Sequence, residues 1–115
     1  MTTPELEEKL LATVAELRDA TDNLTDLARE WAKADHYYRH AKAIAYLSSE
    51  GKTVADKQAQ VDKVCKEERE KAHTADALRE AQREKVRALM AELTAYQTIA
   101  ANMRADMNLA GRYET

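Results

Sequence analysis

The spacing of helix-breaking residues limits most strongly what this chain can fold into. Its one proline is Pro4, and its two glycines are Gly51 and Gly111. The stretches between these positions are rich in Ala, Leu, Glu, Lys and Arg, which all favour a helix. The sequence therefore predicts an all-α fold, with a first helix over about 4–50, a turn at 51–53 and a second helix over about 54–110.

Residues at the predicted helix ends support these boundaries. Thr3 and Pro4 suit the cap and first position of the first helix. Thr53 and Asp56 resemble a capping pair for the second helix. Gly51 is expected to adopt the left-handed backbone conformation in which many helices end.

Apolar side chains recur along both helices at alternating spacings of three and four residues, which is typical of a coiled-coil seam. A short connection makes the two helices antiparallel neighbours, so we predict one long antiparallel helical hairpin (a coiled coil) as a single domain over 1–115. Folding about Gly51 and Lys52 would place Trp31 near His73. The predicted core seam includes Leu10, Leu17, Leu24, Leu27, Trp31, Tyr38, Val86, Leu89, Leu93 and Tyr96.

Three apolar residues near the turn lie outside the main seam and, with His40, form a second row. Three others lie at or near an overhang of the second helix over residues 101–115, where Met103 and Met107 continue the seam spacing. A helix with two apolar stripes usually packs against more than one neighbour. We therefore expect self-association into a four-helix or larger bundle, or docking of a partner protein. The candidate contact residues are Tyr37, Ile44, Leu47, Ile99, Met103 and Met107.

Composition argues against several functional classes. The chain carries a net charge of −3 and one cysteine, which excludes an intrachain disulfide and disfavours strong charge-driven binding of nucleic acid. It has no apolar run long enough for a membrane span and no secretion signal at MTTPELEEK, so we expect a cytoplasmic protein. A hairpin offers no deep cleft for catalysis, so neither enzymatic activity nor a cofactor is expected.

Two histidines have the spacing of metal ligands on a helix. His36 and His40 are four residues apart, but in the predicted register both point away from Cys65. A zinc site needs three or four convergent ligands. We therefore predict no metal site, although the sequence leaves binding by this pair open.

The segment 29–66 suggests an alternative function, because it carries a net charge of +3 and four of the six aromatic residues. Basic groups interleaved with aromatic rings suit single-stranded nucleic acid, whose bases stack on rings while its phosphates meet cations. A purely structural explanation is that the aromatic rings pack in the seam and the basic side chains lie on a solvated helix face. The nucleic-acid candidates are Arg29, Lys33, Arg39, Lys42 and Tyr46.

Two stretches are AKAIAYLSSEGKTVADKQA at 41–59 and LTAYQT at 93–98 followed by MRADM at 103–107. The first resembles the turn, and the second the end of the second helix, of small helical-hairpin proteins of bacteriophages and prophages, notably those of actinobacteria. The resemblance implies a phage early-region protein of the host cytoplasm, often encoded near recombination or single-strand-binding genes. It carries over no catalytic or binding residue.

These observations together favour a non-enzymatic phage accessory protein. We expect it to oligomerise and to bind a phage or host protein, with DNA recombination or replication as the process implied by the resemblance. Direct binding of single-stranded nucleic acid by the hairpin tip is the alternative. A structural or scaffold rod is a weaker one, which the heptads alone permit.

Overall fold

The computed structural model describes residues 1–113, with Tyr113 described by its backbone alone, and shows an all-α chain. Helix α1 spans Thr3–Ser48, α2 spans Val54–Val64 and α3 spans Lys66–Tyr113, with no strand among the described residues. The all-α prediction is confirmed. Of the predicted overhang, residues 114 and 115 lie outside the described part.

The chain divides into two compact units. One is the continuous stretch Asn23–Gln82, and the other joins Met1–Asp22 to the chain from Arg83 onward. We call them the central unit and the terminal unit.

The start of α1 is held by a capping box on Thr2. The Glu5 backbone N–H donates to Thr2 Oγ1 at 3.3 Å, and the Thr2 N–H donates to a Glu5 carboxylate oxygen at 3.3 Å. Because the Leu6 N–H also donates to the Thr2 carbonyl, Thr2 is the cap. The sequence placed this cap one residue later, at Thr3.

The turn between α1 and α2 is held by side-chain hydrogen bonds and a close backbone approach. Ser49 donates to Gln60 Oε1 at 2.6 Å, and the predicted cap of α2 is confirmed, since the Asp56 N–H donates to Thr53 Oγ1 at 3.0 Å. The expectation of a left-handed Gly51 is wrong, because neither glycine has a positive φ. Glycine is needed there because an added Cβ would lie 2.7 Å from the Lys57 nitrogen.

The second half of the chain is two helices where the sequence predicted one. Cys65 interrupts it with φ −97° and ψ 17°. The Cys65 N–H still donates to the Val61 carbonyl, and the Cys65 carbonyl accepts from Arg69, so helical hydrogen bonds continue on both sides. Val61 and Cys65 are both buried. No proline or glycine lies near, so no residue with a backbone preference against helix marks the interruption in the sequence.

The central unit is an antiparallel helical hairpin with a register different from the predicted one. Trp31 lies against Arg79, six residues beyond the predicted neighbour His73. The shift arises at the turn. The first turn of α2 extends past the end of α1, which leaves Val54 exposed, and pairing begins near Gln60.

The terminal unit pairs the start of α1 with the end of α3. Leu17 and Leu93 line one shallow groove there. Leu6, Ala20 and Leu89 are buried, and Thr13 is a buried polar residue in the same unit. These side chains form a narrow apolar seam.

Candidate functional site

A groove runs along one side of the central unit, and we call it the long groove. It consists of two adjoining depressions of about 740 and 500 Å³ that share Glu30 and Lys71. Helix α1 forms one wall, and α2 with the start of α3 forms the other. Its principal apolar lining residues are Leu27, Ala34, Tyr37, Ala41, Ile44, Ala45, Val64, Ala75 and Leu78.

Large apolar side chains of the long groove stand open to solvent. Tyr37 is 59% exposed, Ile44 52% and Val64 70%. On α1, Tyr37 and Ile44 lie beside the half-buried positions Tyr38 and Ala41, so the helix has a second apolar row that residues 1–112 leave uncovered. Exposed apolar surface within a groove is typical of a docking site.

The predicted contact residues are divided among different surfaces. Tyr37 and Ile44 line the long groove, whereas Leu47, which is 84% exposed, lines a separate groove with Tyr46 and Val61. The remaining three belong to the terminal unit. There Ile99 and Met107 are exposed and Met103 is half-buried.

The predicted seam residues lie inward, but few are fully covered. Leu89 is buried, and nine others are half-buried. A pair of helices shields only one stripe of each helix, so the flanks of the seam stay open. The half-buried residues are Leu10, Leu17, Leu24, Leu27, Trp31, Tyr38, Val86, Leu93 and Tyr96.

Rings near the hairpin tip have cations on their faces. Lys42 Nζ lies 5.2 Å from the centroid of the Tyr38 ring, and Lys57 Nζ lies 5.1 Å from that of Tyr46. These are cation–π distances. The contact therefore occupies one face of each ring and engages the lysine that would otherwise meet a phosphate.

The other nucleic-acid candidates lie on exposed parts of α1. Arg39 pairs with Asp35 at 2.8 Å, Arg29 is exposed, and Lys33 lines the long groove. The structure thus brings Arg39, Lys42 and Tyr46 to one groove but leaves Arg29 and Lys33 away from it.

Arg79, in the first half of α3, contacts a ring and two carboxylates. Its guanidinium carbon lies 4.0 Å from the centroid of the Trp31 ring, and Nη2 donates to Asp76 at 2.7 Å and to Glu80 at 3.3 Å. Arg79 falls at a seam position of the heptad pattern along the second half of the chain. Stacking on Trp31 explains how an arginine fits there.

The two histidines stack on each other along α1. Their ring centroids are 6.4 Å apart and the planes differ by 14°. His40 lines the long groove together with Cys65, but His36 does not. No group of three or more potential metal ligands occurs among the described residues.

Cys65 lies in the wall of the long groove at the interruption between α2 and α3. Burial raises the pKa of its thiol above the ordinary range of a cysteine, and the negative charges of Glu68 and Asp62 raise it further. The thiol is therefore protonated at neutral pH. A buried protonated thiol behaves as a small apolar group.

The sequence missed the second wall of the long groove. Val64, Glu68 and Lys71 line it opposite α1. Glu68 falls at a polar position of the heptad pattern. Its neighbours across the hairpin depend on the register of the two helices, and the predicted register differs by six residues from the observed one at Trp31.

Comparison with known proteins gave no match. No family model, curated protein or solved structure matches this chain. No helix within residues 1–113 is long and apolar enough to cross a membrane.

Proposed function

We propose that the chain is a non-enzymatic interaction protein that self-associates and binds a protein partner in the long groove. The observation that carries the proposal is the exposure of Tyr37, Ile44 and Val64 in one continuous groove between two helices. An amphipathic helix laid in such a groove would cover these side chains, which is a common mode of protein recognition.

The half-covered seam supports self-association. Nine of the ten predicted seam residues are only half-buried. A second copy packed along the seam would cover their open flanks, as in a four-helix assembly.

The biological setting of the proposal comes from the resemblance at 41–59 and 93–107. We place the protein in the host cytoplasm as a phage accessory factor whose partner is a phage or host protein, with DNA recombination or replication as its process. The open groove supports the interaction part of this role. The phage setting depends on the resemblance alone.

Direct binding of single-stranded nucleic acid is the competing function, and the geometry favours it less. Lys42 and Lys57 already cover faces of Tyr38 and Tyr46. Arg39 is paired with Asp35. Bases would have to displace these contacts before they stacked, and a modest local charge gives weak, salt-sensitive binding.

Light scattering combined with a fluorescent single-stranded oligonucleotide tests the proposal. We expect a mass of about 26 kDa or more, twice the 13.0 kDa of one chain, and no change when the oligonucleotide is added at low or moderate salt. A monomer that binds the oligonucleotide, with affinity that falls as salt rises and disappears when Arg39 and Lys42 become glutamate, would overturn it.

Two substitutions on one helix then locate the docking surface. Ile44→Glu places a charge in the long groove, and Leu47→Glu places the same charge three residues away, outside it. Partner capture from host extract should be lost for Ile44→Glu and kept for Leu47→Glu. Equal capture by both variants, with unchanged helical circular dichroism, would exclude the long groove.

A further inference from the structure

The long groove carries more carboxylates than cations. Lys71 lies 3.4 Å from Glu67, whereas no ion partner is found for Glu30, Glu68 or Glu70 within residues 1–113. With histidine neutral, the charged lining residues leave a net charge of −2. They are Glu30, Glu67, Glu68, Glu70, Lys33 and Lys71.

Glu68 is the carboxylate with the greatest need of a partner. Its Oε2 atom is buried and has no hydrogen-bond donor, and its neighbours along the helix face, Cys65 and Ala72, are buried as well. A buried charged acceptor without a donor is destabilising. Because Glu68 also lines the groove, a cation that enters the groove would pair with this carboxylate and offset its uncompensated charge.

The long groove is long enough to accommodate a docked helix. From Leu27 to Ser48, which mark its ends along α1, the wall is about 31 Å long at 1.5 Å per residue. A helix of about 20 residues matches that length. Tyr37, Ile44 and Val64 would receive apolar side chains spaced three and four residues apart.

We propose that the occupant of the long groove is a basic amphipathic helix from another protein. It would place its apolar stripe on Tyr37, Ile44 and Val64, with Lys or Arg on its flanks and one such cation donating to Glu68. This inference rests on the proposed function, in which the groove binds protein. A second copy docked groove to groove would bring two surfaces of net charge −2 together, so charge complementarity favours a different chain.

Two synthetic peptides of about 20 residues test the charge requirement on the full chain. They share one Leu-rich stripe and differ at the flanking positions, which are Lys in one peptide and Glu in the other. Fluorescence anisotropy should show the Lys peptide binding at least about tenfold more tightly, with a difference that shrinks as salt rises. Equal affinity of the two peptides, or binding of neither, would refute the proposal.

Glu68→Gln tests the specific contact, because glutamine keeps the size and an acceptor oxygen but loses the charge. It should weaken the Lys peptide about tenfold and leave the Glu peptide no weaker. Glu16→Gln, in the terminal unit, is the matched control and should change neither affinity. An unchanged Lys-peptide affinity in Glu68→Gln would refute the role of Glu68.

Light scattering separates failure of this inference from failure of the proposed function. If Ile44→Glu lowers the mass of the protein while neither peptide binds wild type, a second copy occupies the groove and the basic helix is refuted. If Ile44→Glu affects neither mass, peptide binding nor partner capture, the groove binds nothing and the docking function fails as well.

Discussion

Truncation of two valines on one short helix tests the packing of the central unit. Val61 and Val64 both lie on α2, three residues apart, but Val61 is 1% exposed and Val64 is 70% exposed. Replacing each by alanine removes the same two methyl groups. Any difference between the variants therefore measures burial, since composition and helix position are nearly the same.

The expected free energies follow from burial and helix propensity. Removing two buried carbon groups costs about 1.6 kcal/mol, and a residual cavity adds to that cost. Alanine returns about 0.5 kcal/mol through its higher helix propensity. We expect Val61→Ala to lower the free energy of unfolding by about 1.5 kcal/mol. Val64→Ala should leave it unchanged or raise it by a few tenths of a kcal/mol, because its side chain is already in water.

Urea unfolding followed by fluorescence is the suitable assay. Trp31 is the one tryptophan of the chain and lies in the same unit as both valines. With a slope of about 1.5 kcal/mol per molar urea, Val61→Ala should lower the midpoint by about 1 M. Equal midpoints for the two variants, or a larger loss for Val64→Ala, would refute the assignment of Val61 to the core.

Three further outcomes are expected. Gly51→Ala should destabilise the protein by about 1–3 kcal/mol, because the added Cβ would meet the α2 backbone. Gly111→Ala has open space around the added Cβ and should stabilise α3 by about 0.5–1 kcal/mol. Thermal unfolding measures both changes. Because the pKa of Cys65 is raised in the folded chain, the thiol of the unfolded chain loses its proton first as pH rises. The free energy of unfolding should therefore fall above about pH 9 in wild type and fall less in Cys65→Ala. Urea titrations at several pH values measure both. Truncation after Ala101 should reduce the mass in light scattering if the end of α3 contributes to self-association, and an unchanged mass would exclude that contribution.

Much of the fold could be predicted from the sequence because it depends on local chemistry. The helices could be predicted because helix-breaking residues are few and helix-forming residues are abundant. The start of α2 could be predicted from the capping residue Thr53. The register could not be predicted in the same way. It depends on how far the first turn of α2 runs past α1, and this changed the neighbour of Trp31 from His73 to Arg79.

Only one wall of the long groove could be predicted from the sequence. Tyr37 and Ile44 appeared in the sequence as an apolar row outside the seam, because helical periodicity shows which residues share a face. Val64 and Glu68 on the facing wall did not, because neighbours across a hairpin depend on register. Leu47 belongs to the same predicted row as Ile44 but lines another groove, together with Gln58 and Val61 of α2.

The nested order of the two units has a consequence for the sequence of folding events. The central unit is complete once residue 82 has been synthesised, whereas the terminal unit then still lacks its whole C-terminal segment, which begins at Arg83. The Ser49–Gln60 contact joins residues eleven positions apart, and so short a loop costs little closure entropy. We expect the middle of the chain to fold first during synthesis. The two segments of the terminal unit would then pair at a lower entropic cost, because the folded central unit has already shortened the loop between them.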